Sequence, residues 1–390
     1  MTRPAVEIAD ILHEQGDRFM DQSPWLNYQQ LSVLRAITRC RTAALGGHID
    51  QCYQCGHQAI SYNSCRNRHC PKCQAQSRQR WIAAREKELL EVPYFHVVFT
   101  LPHELNPVCQ RNARVLYDLL FRSSADAMLE VAANPKRLGA QIGFISILHT
   151  WGQNLLLHPH VHCVVPAGGF SADHERWIHP KYAFFLPVHV LSSVFRAKFV
   201  EGLRKAFLQG KLIFSGRIAQ LANPKRFSAF VDSLFEQRWV VYAKPAFGSP
   251  TLVLRYLGRY THRVAISNHR LLAFDGERVI FRWKDYAHGN KQRTMTLEGT
   301  EFLRRFTQHI LPRGFVRIRQ FGFLTNTRRA TLLAFARHLH NSAPMPPDAG
   351  TVSTAKSSTW QCPHCNGEMR IGLNLSARQL AYRCKPFDSS

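Results

Sequence analysis

Three histidines alternate along one apolar stretch of the chain. The segment LLLHPHVHCVV, residues 155–165, has the aliphatic flanks of a buried strand, yet it carries His158, His160 and His162. Since alternate residues of a strand point to the same side, His160 and His162 project together, and Val161 points into the core behind them. Burying several imidazoles without partners would cost free energy on each one. A bound cation would remove that cost, so the spacing predicts a metal clamp.

His149, on the preceding predicted strand, is the expected third ligand. The short polar segment GQN joins the two strands and predicts a hairpin that sets His149 beside the pair. His158 is the competing ligand, although Pro159 disturbs the strand next to it. Three imidazoles leave coordination positions open, which is typical of catalytic sites. Transition ions such as Mn²⁺ suit imidazole, and Mg²⁺ fits if phosphate oxygens complete the shell. The alternative is a set of hydrogen-bonded core histidines.

Two tyrosines four residues apart form the second candidate group. Tyr256 and Tyr260 lie in RYLGRYTHR, and on the helix predicted there they share one face. Tyrosine can act as a covalent nucleophile, and guanidinium neighbours together with a nearby metal favour its ionised form. Attack on a DNA phosphodiester would form a phosphotyrosine link and release a 3′ hydroxyl. On its own, such a pair is more often a core-edge or base-stacking feature. The surrounding cations are Arg255, Arg259 and Arg263.

The cysteines are concentrated in two places. The pattern Cys52-x2-Cys55-x14-Cys70-x2-Cys73 predicts one structural zinc site closed by four thiolates. The segment is polar and has little core of its own, so the metal would fold it. Cys65 is a further candidate ligand, for a second ion or as a replacement for one of the four. His57 and His69 are spare candidate ligands within the segment, and Cys40 is a more distant one.

Near the end of the chain, Cys362-x2-Cys365 resembles half of a zinc ribbon. Cys384 is a candidate third ligand, but Phe387 stands where a fourth cysteine would be expected. We therefore leave open whether this tail binds zinc.

The charge balance predicts a polyanionic partner. Lys and Arg number 51 against 26 acidic residues, which gives a net charge of +25 and a pI near 10.1. Basic side chains that contact phosphates release condensed counterions, so nucleic acid is the favoured partner. Arg66, Arg68 and Lys72 make the cysteine-rich module a candidate DNA-binding surface. No apolar run approaches the roughly 20 residues of a membrane span, so no membrane partner is expected.

The motifs together resemble a known family. HVH on a strand, followed downstream by YLGRY, is similar to the two-tyrosine form of the HUH endonuclease superfamily. With SCRNRHCPKCQ, FHVVFTLPHEL, LHTWGQNLLLHPHVHCVVPAGG and RYLGRYTHRVAISN, the chain resembles the transposases of the bacterial insertion-sequence family numbered ninety-one. The resemblance runs from about residue 20 to 330.

The resemblance implies an α+β fold with an HUH endonuclease core, which is a ferredoxin- or RRM-like antiparallel sheet with flanking helices, plus small cysteine-rich zinc-binding modules. It implies that His160 and His162 hold a catalytic divalent ion, Mg²⁺ or Mn²⁺, and that Tyr256 and Tyr260 are the nucleophiles. His149 as third ligand is our geometric inference. The phosphotyrosine link conserves the bond energy, which agrees with the absence of a GxxxxGK(S/T) nucleotide-binding loop from the sequence.

The expected domains are a helical and zinc-binding DNA-recognition domain at 1–92, a catalytic domain at 93–340, a Pro- and Ser-rich linker at 341–359 and a partial zinc-ribbon-like tail at 360–390. We expect a transposase that nicks and rejoins single-stranded DNA at insertion-sequence ends and in target DNA, in the bacterial cytoplasm, associated with the nucleoid when bound. One alternative is a plasmid-type replication initiator or relaxase with the same chemistry. The other is a non-catalytic zinc-dependent DNA-binding protein.

Overall fold

The structure is a computed structural model that describes residues 4–181, 185–245, 252–253, 258, 265–285, 288–339 and 361–383. Its N-terminal part holds two helices, a two-strand hairpin and a long basic helix. Helix α2 begins with a capping box between Asn27 and Gln30, and Pro71 occupies the first turn of the third helix, where its missing N–H costs nothing. These elements are α1 (Ile8–Asp21), α2 (Tyr28–Thr38), β1 (Gly47–Cys52), β2 (Gln58–Tyr62) and α3 (Pro71–Glu86).

The middle of the chain alternates strands with helices. Strand-forming runs of aromatic and β-branched residues are separated by long apolar-faced helices, as the sequence predicts. The elements are β3 (Tyr94–Thr100), α4 (Asn106–Arg111), α5 (Ala113–Ala133), β4 (Gly143–Trp151), β5 (Leu157–Pro166), β6 (Gly169–Phe170), β7 (Trp177–Ile178), α6 (Val188–Leu208), α7 (Pro224–Glu236) and β8 (Val240–Pro245).

The last part adds a small sheet and closes the large one. Asp275 and Gly276 form the predicted hairpin turn, in which the Asp275 carboxylate accepts from the N–H groups of Glu277 and Arg278. The elements are β9 (Leu271–Phe274), β10 (Arg278–Asp285), β11 (Lys291–Glu298), α8 (Gly299–Thr307), β12 (Ile318–Gly322), α9 (Arg329–Leu339), β13 (Met369–Leu375) and α10 (Ala377–Arg383). The predicted helix pair at 297–340 is correct for α8 and α9, but strand β12 lies between them.

Five strands form the central antiparallel sheet in the order β12-β4-β5-β3-β8. The order of β3-α5-β4-β5-α6-β8 along the chain and across the sheet is that of a ferredoxin-like fold, with β12 added at one edge. Helices α5 and α6 pack together on one face, over inward side chains such as Val97, Phe99 and Val161. The expected α+β fold with an antiparallel sheet and flanking helices is therefore confirmed, and the histidine-bearing β5 is its middle strand.

The opposite face of the sheet is shared between apolar residues and histidines. At one end Tyr94, Ile147 and Val164 belong to an apolar cluster with residues of α9 and with Trp81 and Ile82 of α3. The register pairs His149 with His160, and His162 with both Ile147 and Val98. The histidines therefore lie on the same face as that cluster, toward the other end of β5.

The hydrophobic cores cross the boundaries expected from the sequence. Helices α1 and α2 share one core with α8 and the β9–β11 sheet, so residues on both sides of position 92 pack together. Strand β13 pairs antiparallel with β1, from Gly47–Leu375 to Cys52–Met369. The tail is thus an edge strand of the N-terminal sheet. The predicted linker lies outside the described residues.

Candidate metal centre and nucleic-acid interface

Three histidines converge on the face of the central sheet opposite helices α5 and α6. Possible ligand nitrogens of His149, His160 and His162 all lie within 4.8 Å of one another. Their ring centroids are 4.5 to 5.4 Å apart, and the rings are steeply inclined to each other. His149 and His162 are buried, whereas His160 is partly exposed at the rim. The sequence prediction that β4 and β5 bring these three side chains together agrees with this geometry, and the nitrogen donors fit a divalent cation.

Hydrogen bonds orient the ring of His160. Its Nδ1 lies 2.6 Å from the carbonyl oxygen of His158, and since a carbonyl can only accept, Nδ1–H is the donor. That leaves Nε2 of His160 as the nitrogen that can bind a metal. Anchoring a ligand ring through its other nitrogen is typical of metal-binding histidines. His158 itself is exposed, and its backbone serves the cluster.

His96 is a fourth histidine beside this cluster, and the sequence analysis did not single it out. Its Nε2 lies 2.8 Å from Nδ1 of His162, and the two rings stack almost in parallel. If His162 binds a metal through Nε2, its Nδ1 carries the proton and donates to His96. The signal that could have revealed it is the ferredoxin-like strand order, which places β3 directly beside β5.

Burial keeps these imidazoles neutral. Desolvation lowers the pKa of His160 to about 3 and that of His96 to about 4. Desolvation also holds the pKa of His162 well below its ordinary value, and the neighbouring imidazoles lower it further. A neutral imidazole is the form that binds a metal ion, so the face is prepared for a cation at physiological pH.

The tyrosines and several other predicted residues lie outside the described residues. These are the expected nucleophiles Tyr256 and Tyr260, the arginines Arg255, Arg259 and Arg263, and the tail residue Cys384. Three residues of the same segment are described, Leu252, Val253 and Gly258. Val253 is fully buried in the apolar cluster on the histidine face, and Gly258 approaches Ile82 so closely that an added Cβ would lie 2.3 Å from its Cδ1.

Eight cysteines form two clusters of four, and their grouping differs from the predicted one. We define the proximal cluster as Cys40, Cys65, Cys70 and Cys73, and the terminal cluster as Cys52, Cys55, Cys362 and Cys365. The prediction that Cys52 and Cys55 share one site with Cys70 and Cys73 is therefore wrong. Spacing alone could not show the grouping because Cys40 lies in the turn after α2 and Cys362 lies near the far end of the chain.

Both clusters fit a tetrahedral zinc ion. In the proximal cluster the sulfur of Cys73 lies 3.5 Å from that of Cys40 and 3.6 Å from that of Cys65. In the terminal cluster the sulfur–sulfur distance is 3.5 Å for Cys52–Cys365 and 3.6 Å for Cys55–Cys362. Zn–S bonds of about 2.3 Å in a tetrahedron imply sulfurs about 3.8 Å apart. The same distances are far too long for disulfides, which agrees with the free state of the ten described cysteines.

Arg68 has a structural role. Its guanidinium donates to the carbonyl oxygens of Phe315 at 2.5 Å and Pro312 at 3.1 Å, so it anchors the turn before β12. Arg66, in contrast, is exposed, and Lys72 pairs with Glu7 at 2.5 Å. A cavity of about 880 Å³ lies beside the proximal cluster. Among the residues that the structure describes, its lining includes five cationic side chains and no acidic one. The five cations are Arg41, Arg66, Arg68, Lys72 and Arg80.

Comparisons with known proteins identify the class. A family model described as "Putative transposase" matches residues 143–331, and one described as "Transposase zinc-binding domain" matches residues 11–101. The first span contains the histidine hairpin and the segment with both tyrosines, and the second contains the proximal cluster. These matches define a transposase with a zinc-binding domain, as the resemblance of the sequence motifs predicted.

Two relatives specify the family further. "Putative transposase y4qJ" of Sinorhizobium fredii (strain NBRC 101917 / NGR234) is 49% identical over 384 residues, which cover 96% of each chain. "Transposase for insertion sequence element IS801" of Pseudomonas savastanoi pv. phaseolicola is 30% identical over 303 residues, covering 76% of this chain and 70% of the relative. The chain therefore belongs to the IS91-type transposase family. No solved structure matches it.

Among the helices that the structure describes, none is long and apolar enough to cross a membrane.

Proposed function

We propose that this transposase nicks and rejoins single-stranded DNA at the ends of its insertion sequence through a phosphotyrosine intermediate, as one step of rolling-circle transposition. Tyr256 and Tyr260 are the proposed nucleophiles, and His149, His160 and His162 are the proposed ligands of a divalent ion. The observation that carries the proposal is the convergence of these three imidazoles on the face of the central sheet opposite helices α5 and α6.

The chemistry requires a phenol and an oriented phosphodiester. The Oη atom of one tyrosine attacks phosphorus and loses its proton, the bond from phosphorus to the 3′ oxygen breaks, and the leaving oxygen takes up a proton. The downstream DNA strand remains joined to the tyrosine through its 5′ phosphate. A 3′ hydroxyl reverses the step to rejoin a strand, so no nucleotide is consumed. Bound Mg²⁺ or Mn²⁺ would supply Lewis-acid polarisation of the scissile phosphate.

The neighbours of the tyrosines support their role. Val253 and Gly258 bracket Tyr256 in sequence, and Gly258 is two residues before Tyr260. Val253 belongs to the apolar cluster that includes Ile147, which pairs with His162, and Gly258 contacts Ile82 of the same cluster. Val253 and Gly258 themselves therefore lie on the histidine side of the sheet.

Basic residues of the zinc-binding domain are proposed to hold the DNA backbone. The cavity beside the proximal cluster carries Arg41, Arg66 and Arg80 in its lining, and the chain has a net charge of +25. Phosphate contacts give affinity and register but no sequence information, which base-edge contacts must provide. Because Arg68 is committed to the turn before β12, we propose Arg66 as the phosphate contact and assign Arg68 to stability.

The names of the relatives favour a transposase over a plasmid-type initiator with the same chemistry. The test is a covalent-adduct assay with purified protein, Mn²⁺ or Mg²⁺ and a labelled single-stranded oligonucleotide of the element's end. Wild-type protein should form an adduct that resists denaturing electrophoresis, and the double variant Tyr256→Phe, Tyr260→Phe should form none. Each single variant assigns one tyrosine to the first cut. An adduct of undiminished yield in the double variant would refute the proposed nucleophiles.

A further inference from the structure

The terminal cluster joins two segments that are more than 300 residues apart in sequence. Cys52 is the last residue of β1 and Cys55 follows it, whereas Cys362 and Cys365 precede β13. Their sulfurs nevertheless approach to 3.5 Å for Cys52–Cys365 and 3.6 Å for Cys55–Cys362. Cys362 and Cys365 also lie beyond both matched family models, which end at residues 101 and 331. The matched zinc-binding domain therefore contains only two of these four ligands, Cys52 and Cys55.

The two cysteine loops have the same backbone geometry. In the first, the N–H of Gly56 donates to the Cys52 carbonyl at 3.1 Å and the N–H of Cys52 donates to the His57 carbonyl at 2.8 Å. In the second loop, the N–H of Asn366 donates to the Cys362 carbonyl at 2.9 Å, and the N–H of Cys362 donates to the Gly367 carbonyl at 2.8 Å. The fourth residue after the first cysteine has a positive φ in both loops, 71° at Gly56 and 57° at Asn366.

Repetition of one loop at two distant places indicates a shared ligand. Each loop presents two thiol groups on a tight turn, and together the loops offer the four sulfurs of a closed tetrahedral site. The loops also touch directly, because the rings of His57 and His364 lie 4.2 Å apart and the N–H of Tyr53 donates to the Glu368 carbonyl at 3.1 Å.

The terminal cluster has very little apolar packing to hold it. Its buried core consists of Cys52, Cys362 and Met369, with Ala59 packed against it. Strand β13 is exposed at its five middle positions, from Arg370 to Asn374. Pairing with β1 and the buried Leu375 and Leu380 hold the rest of this segment, whereas the cysteine end has so small a core that bound metal would be its main source of stability.

We propose that the terminal cluster binds a zinc ion that fastens the C-terminal segment onto the N-terminal sheet. The chain then carries two structural zinc ions, one in each cluster, and strand β13 is in place only when the terminal cluster is filled. Four thiolates close the coordination shell, so Cys384 is not a ligand.

The first test measures zinc content and hydrogen exchange on the full-length protein. Wild-type protein should contain two zinc ions per chain, as measured by elemental mass spectrometry. The backbone amides of β13 should be protected from hydrogen exchange. The double variant Cys362→Ser, Cys365→Ser should contain one zinc ion and lose protection in β13, while β3, β4 and β5 stay protected. The matched control Cys384→Ser should keep two ions and a protected β13. One ion in wild-type protein, two in the double variant, or loss of an ion from the Cys384→Ser control would overturn the proposal.

A second test needs no substitution and so is independent of variant folding. Zinc is withdrawn stepwise from wild-type protein with a chelator, and reactive thiols are alkylated and mapped by mass spectrometry. Cys55 and Cys365 are exposed, so they should react at once when their ion leaves. The expected result is that the four cysteines of the terminal cluster lose protection together. Alkylation of Cys362 and Cys365 before any zinc is released would contradict a shared ion.

Discussion

Replacing His96 by alanine tests whether this residue positions His162 for metal binding. His96 is 7% exposed, and its Nε2 is 2.8 Å from Nδ1 of His162. In the proposed site His162 donates to His96, which fixes the ring and the protonated nitrogen. Without that acceptor, the ring of His162 has to be ordered when the ion binds.

The expected loss of metal affinity follows from the position of His96, which contacts a proposed metal ligand and not the metal itself. Removing an outer hydrogen-bond partner of a metal-binding histidine typically costs about 10- to 100-fold in metal affinity, or about 1.4 to 2.7 kcal/mol. His96→Ala should therefore weaken Mn²⁺ binding at the histidine cluster by about this factor. His96→Gln keeps an acceptor and should recover part of the loss. His103→Ala is the matched control, because its side chain is 85% exposed and it contacts Glu104.

The assay is a Mn²⁺ titration followed by electron paramagnetic resonance on protein whose structural zinc sites are filled. Thermal unfolding of each variant shows whether the fold is intact at the temperature of the titration. An unchanged Mn²⁺ affinity in folded His96→Ala, or an equal loss in His103→Ala, would refute the positioning role of His96.

Four further perturbations test the stability of the fold and its binding of DNA. Arg68→Ala removes two hydrogen bonds from a charged donor and should lower the free energy of unfolding by about 3 kcal/mol in a denaturant titration. Arg66→Ala should leave the free energy of unfolding unchanged. It should reduce the slope of DNA affinity against salt concentration by about one phosphate contact. Burial lowers the pKa of His309 to about 4, so the unfolded chain binds a proton that the folded one does not as pH falls below about 6.5. The stability due to neutral His309 should thus fall between about pH 6.5 and 4, by up to about 1.4 kcal/mol per pH unit, and His309→Gln should show a shallower fall in the same unfolding experiment. Chelation of structural zinc should weaken DNA binding in a gel-shift titration; unchanged affinity would exclude the zinc-binding domain from the interface.

The sequence predicted the histidine hairpin well because strand periodicity is local. Alternation puts His160 and His162 on one face, and a short polar turn brings His149 beside them, so no distant information is required. The same reasoning could not find His96, whose approach to His162 depends on β3 and β5 being neighbours in the sheet. His309 was missed for the same reason: Thr150 and the Leu155 carbonyl, its hydrogen-bond partners, are more than 150 residues away.

The grouping of the cysteines could not be derived from their spacing. Four cysteines at CxxC spacing within 22 residues satisfied a single tetrahedral site, and no local feature of Cys52 or Cys55 indicates that their partners are Cys362 and Cys365. The pairing depends on β13 lying beside β1, which is a long-range contact. Strand β12 was missed because IRQFG is a five-residue run between two helices, too short for its periodicity to identify it.

The most direct test of the central claim measures the distance between the histidine-bound ion and the two phenols. The chain has 11 tyrosines, and labelling with fluorotyrosine gives each of them a fluorine resonance. The resonances of Tyr256 and Tyr260 are assigned by their loss in the variants Tyr256→Phe and Tyr260→Phe. Paramagnetic Mn²⁺ at the cluster of His149, His160 and His162 should broaden these two resonances before the others. If both stay sharp while the ion is bound, the phenols are remote from the metal and the nicking mechanism is contradicted.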